Sequence, residues 1–150
     1  MCWIVCVWFY DRFPWPCITH QCFIGSVWRC IYFPNPVKAT AGIHFMKVLK
    51  ALGIDAELAD RLRPFPNGAT AMREMSHCPE AGLIGCTQVT EILHTPGIKL
   101  VAPLPKEFEL ATVYTAAVCA GARHPEVARA LIELLSSAET AALRHAAGLE

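Results

Sequence analysis

Apolar residues recur at helical spacing at Ile43, Met46, Val48, Leu49 and Leu52, which predicts a helix over residues 40–52. Thr40 is placed to cap its start. Gly53 stands where a left-handed C-cap is wanted, with Ile54 as the closing hydrophobic contact. Upstream, Pro34-Asn35-Pro36 forbids helix and reads as an extended connector. Residues 55–66 make a poor helix because of Pro64 and Pro66, and a short strand is expected over 58–63. A second helix starts at Asn67-Gly68, with Ala69, Met72 and Met75 facing inward and Arg73 and Glu74 facing water, and it ends near His77-Cys78-Pro79. The apolar run 81–86 is long enough for a buried strand, and Thr87-Gln88 opens a helical turn through Leu93.

Thr95-Pro96-Gly97 is a turn, followed by a short strand over 98–103. Residues 108–119 are the longest strand candidate, since Leu110, Val113, Tyr114 and Val118 supply apolar, β-branched and aromatic content. Pro125 stands at a helix start, and Ala128, Leu131, Ile132, Leu134 and Leu135 make one apolar face. Ser136-Ser137 breaks that helix before a last one over 138–147. Helices and strands alternate, which predicts an α/β layer fold with a mainly parallel sheet flanked by helices.

Composition changes this picture at one end. The chain has 150 residues, 54% hydrophobic, with 13 basic and 13 acidic side chains. That is enough for one domain with a core, and without a basic excess nucleic acid is not an expected partner. Residues 1–33, however, hold all four Trp and five of the eight Cys, but only three charges: Asp11, Arg12 and Arg29. The chain therefore divides into an atypical aromatic and cysteine-rich segment, 1–33, and an α/β domain, 34–150. A misassigned start or an out-of-frame read would produce such a join; a genuine segment would be a sticky surface suited to self-association. No basic n-region or small-residue cleavage site makes it a recognisable signal peptide, and Asp11-Arg12 ends the apolar run after ten residues, short of a membrane span. Five cysteines without a CxxC pair give neither a closed disulfide set nor a zinc site.

Two places carry candidate chemistry. At Lys38-Ala39-Thr40-Ala41-Gly42, small residues at a helix start leave backbone N–H groups open at its partly positive end, which suits an oxyanion. At Gly85-Cys86-Thr87-Gln88, expected to be a strand end, the glycine permits close approach and Thr87 offers a hydroxyl. Plain capping and an ordinary strand-to-helix turn explain the same residues. Tyr114 on an apolar strand reads as a core aromatic, Cys86 as a small buried hydrophobe, and His77 as a helix C-terminal residue rather than a zinc ligand.

From about residue 35 onward, the succession PNPVKATAGIHFMKVLKALGI, NGATAMREM, GLIGCTQVTEIL, LPKEFELATVYTAAV and a final helical pair resembles the second lobe and C-terminal portion of a molybdate-type periplasmic solute-binding protein of ABC importers. The resemblance implies one lobe of a type II periplasmic binding protein fold, and a binding function rather than catalysis. It also implies a tetrahedral oxyanion, molybdate or tungstate, as ligand, the importer's membrane subunits as partners, and a periplasmic location. No cofactor and no metal ion are implied. Carried over residue by residue, the ligand-binding set is Thr40, Ala41 and Gly42 at the helix start, Gly85, Cys86 and Thr87 on the strand, and Tyr114. Residues 1–33 do not resemble the first lobe, which would supply the other half of such a site. The alternatives are a small structural or oligomeric α/β interaction module without ligand and, lowest, a thiol enzyme using Cys86.

Overall fold

The computed structural model describes residues 2–8, as backbone, and 28–149. A six-stranded sheet forms the centre. Its strands are β1 (Cys2–Trp8), β2 (Cys30–Pro34), β3 (Leu62–Phe65), β4 (Leu83–Gln88), β5 (Lys99–Pro103) and the two-residue β6 (Ala111–Thr112). The spatial order is β3-β2-β4-β1-β5, with β6 paired to the start of β1. Strands β2, β3 and β4 pair in parallel, and β5 runs the same way; β1 is inserted antiparallel between β4 and β5. The sheet does not break where composition does, because β2 ends at Pro34 and β1 lies well inside the sheet. Of the sticky surface expected of residues 1–33, the side chains of 1–27 lie outside the described residues, and Ile31 and Phe33 are buried in the core.

Strand alternation divides the core into two layers. On one face Ile31 and Phe33 of β2 and Ile84 and Cys86 of β4 meet helix α1 (Thr40–Ala51) through Phe45, Val48 and Leu49. The Phe33 and Phe45 rings lie 5.3 Å apart at 58°, a tilted pair. On the other face Leu83 meets Met72 and Met75 of helix α3 (Gly68–His77) and Ile92 of α4 (Val89–Leu93). Gly85 belongs to this second face, and a Cβ there would press on the Met72 and Met75 methyl groups, so the missing side chain lets α3 sit close to the sheet.

Several expectations are met and several corrected. Helix α1 ends as predicted, with Gly53 at φ +69° and the Ile54 N–H donating to the Leu49 carbonyl, but Thr40 is its first helical residue and the cap position falls to Ala39. Residues 55–61 do form helix, as α2 (Asp55–Leu58) and a 3-10 turn, because the prolines come only after it; the strand is displaced to 62–65. In α3 the inward residues are Gly68, Ala71, Met72 and Met75, whereas Ala69 is exposed. The apolar run at 81–86 begins two residues late, after Gly82 at φ +77°, and continues through Gln88.

The largest departure is at 108–119. Only Ala111–Thr112 are strand, and Val113 and Tyr114 are exposed, since β1 offers partners to this segment at two residues only. Helix α5 (Pro125–Ser136) forms as expected, yet among the described residues nothing covers its apolar face: Leu131, Leu134 and Leu135 are each more than half exposed. A 3-10 turn and α6 (Ala141–Ala146) follow, and the chain returns to the domain where Leu149 joins the α3 face of the core.

Candidate functional site

In open sheets of this kind, helices that follow parallel strands start at the strands' carboxyl edge, and their N–H groups face whatever binds there. Helix α1 follows β2 and α3 follows β3, so both start at that edge. The start of α1 is positioned by the proline-bracketed Asn35, whose Oδ1 accepts from the Val37 and Lys38 N–H groups, both at 2.9 Å. Its carbonyl accepts from Ala39 N–H at 3.1 Å, which completes the turn into the helix. Gly42 then packs against the end of β2, where a Cβ would overlap the carbonyl oxygens of Pro34 and Asn35. No side chain caps α1, and no acidic residue lies in its first turn.

The start of α3 is built differently. Asn67 is its N-cap, with Oδ1 accepting from Thr70 N–H at 2.8 Å. Glu91, from α4, reaches back so that its Oε1 accepts from Ala69 N–H at 3.1 Å and its Oε2 accepts from the Thr87 hydroxyl. Gly68 is buried beneath this pair, and a Cβ on it would strike both Thr87 Oγ1 and the Glu91 carboxylate. Among the described residues, one helix start at this edge thus has no side-chain cap, and the other is filled by a carboxylate of the chain itself.

The candidate residues fall into place as follows. Thr40 is exposed and Ala41 and Gly42 are buried at the α1 start. Gly85 and Cys86 are inside β4, not at a turn: Gly85 lies under Met72 and Met75, and Cys86 packs in the α1-side core. Thr87 is fully buried and its hydroxyl is committed to Glu91. Tyr114 comes to the end of β4 from its exposed segment, its hydroxyl donating to Gln88 Oε1 at 2.9 Å, and Gln88 Nε2 lies 3.4 Å from Thr112 Oγ1. From the sequence, Gln88 enters only as part of the 85–88 stretch, and Gly68 and Glu91 are given no role at the site. The signals for these two are the Asn67-Gly68 helix start and the i, i+4 spacing of Thr87 and Glu91.

On the α3 face of the sheet, Tyr32 of β2 stacks on Phe65 of β3 with centroids 5.4 Å apart and planes 8° from parallel. Burial, then the hydrogen bond to Cys78, then the charges of Cys78, Cys30 and Glu80 push its hydroxyl pKa up to about 12. Among the described residues no three His, Cys, Asp or Glu side chains gather as a metal site, and no helix is long and apolar enough to cross a membrane.

Comparison with known proteins gives a concordant result. The profile of a family described as bacterial extracellular solute-binding protein matches residues 25–150. The fold is similar to the substrate-binding domain of a putative molybdenum ABC transporter from Clostridium difficile, with TM-score 0.64 and 14% identity over 98% of this chain and 62% of that one. It is also similar to the periplasmic molybdate-binding protein of Azotobacter vinelandii, with TM-score 0.67 and 17% identity over 98% of this chain and 64% of that one. A stretch of 67 residues, 45% of this chain, is 34% identical to a Pseudomonas protein named aconitate isomerase, of which it spans 26%. The chain therefore spans less than two thirds of the solved structures and about a quarter of that relative. The architecture is one lobe of a type II periplasmic binding protein-like fold.

Proposed function

Since the chain belongs to the bacterial extracellular solute-binding protein family, we propose that it serves in the substrate-binding component of an ABC importer and holds a tetrahedral oxyanion such as molybdate or tungstate at the carboxyl edge of its sheet. The observation that carries this reading is the start of α1, where the first-turn N–H groups have no intrahelical acceptor and, among the described residues, no side-chain hydrogen bond from the cap position. Of its first residues Thr40 is exposed whereas Ala41 and Gly42 are buried, so the end is open at Thr40, where the helix dipole favours negative charge. Neutral donors of this kind replace the hydration of an anion without a counter-charge. Gly85 and Cys86 lie inside β4, which is paired on both sides, so in this reading they only fix the strand that ends at the site, and Tyr114 borders it through Gln88. Periplasmic exposure and docking to the importer's membrane subunits are part of the same proposal.

A lobe with donors on one side only leaves its ligand hydrated and screened, so affinity for the chain by itself is expected at about millimolar or weaker. Amide-resolved NMR titration of the chain with molybdate and tungstate tests this. The Thr40, Ala41 and Gly42 amides should shift together and saturably, and Thr40→Pro, which removes one donor at an exposed first helical position where proline fits, should weaken the response. Saturable shifts confined to other residues, or none at all, would refute the reading.

A second reading, an isomerase acting on a carboxylate ligand, is favoured by the 67-residue likeness to the protein named aconitate isomerase. A carboxylate would meet the same α1 donors. Titration with aconitate, followed by assay for its isomerisation, separates the two readings: turnover supports the second, and oxyanion-selective shifts without turnover support the first.

A further inference from the structure

Of the cysteines whose side chains are described, Cys86 is sealed in the α1-side core and Cys119 is exposed on the stretch before α5. Cys30 and Cys78 differ from both: each is a half-buried free thiol, and each packs against the α3-side core. Helix α3 starts at the carboxyl edge and runs back over the sheet, with Met72 and Met75 above Gly85 and with Leu83 in the same cluster. Cys78 follows three residues after Met75, and its N–H donates to the Met75 carbonyl at 3.2 Å. Three helical residues advance about 4.5 Å and two strand residues about 6.6 Å, so the step from Met75 to Cys78 covers most of the step from Gly85 to Leu83. Leu83 is the partner of Cys30 on β2. Cys30 lies on the same face of β2 as Tyr32, whose hydroxyl is hydrogen-bonded to Cys78. The two thiols therefore flank one tyrosine where β2 and β4 begin.

We propose that Cys30 and Cys78 are a modification site, joined as a disulfide when the folded chain meets a disulfide oxidant. In the cell the bond needs an oxidising compartment, so it rests on the periplasmic exposure proposed above and not on the anion site. One cysteine, as thiolate, attacks a sulfur of the oxidant and expels one thiol; the other cysteine, deprotonated in turn, attacks the mixed disulfide and expels the second. Two cysteine thiols thus lose two electrons and two protons, and the oxidant is reduced to two thiols. Cys78 stands at the extended C-cap position rather than inside the helix, so its sulfur can approach Cys30 without unwinding α3. The bond closes the loop 30–78, which holds α1, α2, β3 and most of α3. Restricting the unfolded chain in this way should raise Tm by about 10 °C.

The test is peptide mapping of the full, folded chain equilibrated with oxidised or with reduced glutathione, with free thiols alkylated before digestion by trypsin and a glutamate-specific protease. The oxidised chain should yield peptide 30–38 linked to peptide 75–80, the reduced chain should yield both alkylated, and the oxidised chain should melt about 10 °C higher. In Cys30→Ser and in Cys78→Ser the remaining thiol should carry only an alkyl group or glutathione, and the Tm gain should vanish. Mapping of the unmodified chain stands even if a variant folds poorly. If its two thiols stay alkylated under oxidised glutathione, stop at glutathione adducts, or link to other cysteines, the proposal is overturned. Because the experiment is done in the purified chain without an oxyanion, that outcome leaves the binding reading where it was.

Discussion

Gly42→Ala is the substitution for which geometry and propensity disagree most sharply. In an open helix position, alanine gains about 1 kcal/mol over glycine. At Gly42 the new Cβ would overlap the carbonyl oxygens of Pro34 and Asn35 and lie 2.7 Å from the Asn35 carbonyl carbon. These are backbone atoms, fixed by β2 and by the turn that Asn35 organises, so they cannot swing away as a side-chain end can. Helix α1 must instead retreat by about 1 Å, and it carries Phe45, Val48 and Leu49, each nearly or fully buried against Ile31 and Phe33. Overpacking of this kind costs about 1–3 kcal/mol, and the displaced core sets it toward the upper end. Net of propensity, the variant should lose about 2 kcal/mol, or about 4–8 °C in Tm for a domain of this size. Urea denaturation followed by circular dichroism measures the loss, with Gly121→Ala as control, since a Cβ at that position meets nothing within 4 Å. The control should stay within about 0.5 kcal/mol of the unmodified chain. If Gly42→Ala matches or exceeds the unmodified chain in midpoint at equal slope, close seating of α1 on β2 is wrong.

Two further outcomes follow from other parts of the molecule. Tyr32 should remain neutral until pH approaches about 12; because its pKa is raised on folding, its contribution to stability is complete below pH about 10 and is lost as pH climbs from there through about 12. Phenolate absorbance of the unmodified chain minus that of Tyr32→Phe reads this directly, and a Tyr32 midpoint near 10 would contradict it. On α5, Leu131→Lys should change stability by no more than about 0.5 kcal/mol, because Leu131 is 54% exposed; a loss of several kcal/mol on thermal denaturation would show that its apolar face is covered in solution.

Sequence by itself determined those elements whose signals are local. The periodicity from Ile43 to Leu52 and the Gly53-Ile54 closure specified α1 nearly to the residue, and Asn67-Gly68 marked the start of α3, because capping and left-handed glycines act through neighbours in the chain. Alternation of helix and strand gave the α/β class for the same reason. Whether an apolar segment is used as strand depends on a partner elsewhere. Residues 113–119 have strand composition but pair with no strand among the described residues, and β1, from a segment that composition set apart, fills the gap between β4 and β5. Burial was likewise undecided: the apolar stripe of α5 is as regular as that of α1, yet only α1 has a sheet face to cover. The candidate site shows the same division. The open start of α1 was legible as small residues after a turn. The closed start of α3 was not, since it arises only when β4 carries Thr87 and Glu91 to the place where Gly68 has no side chain.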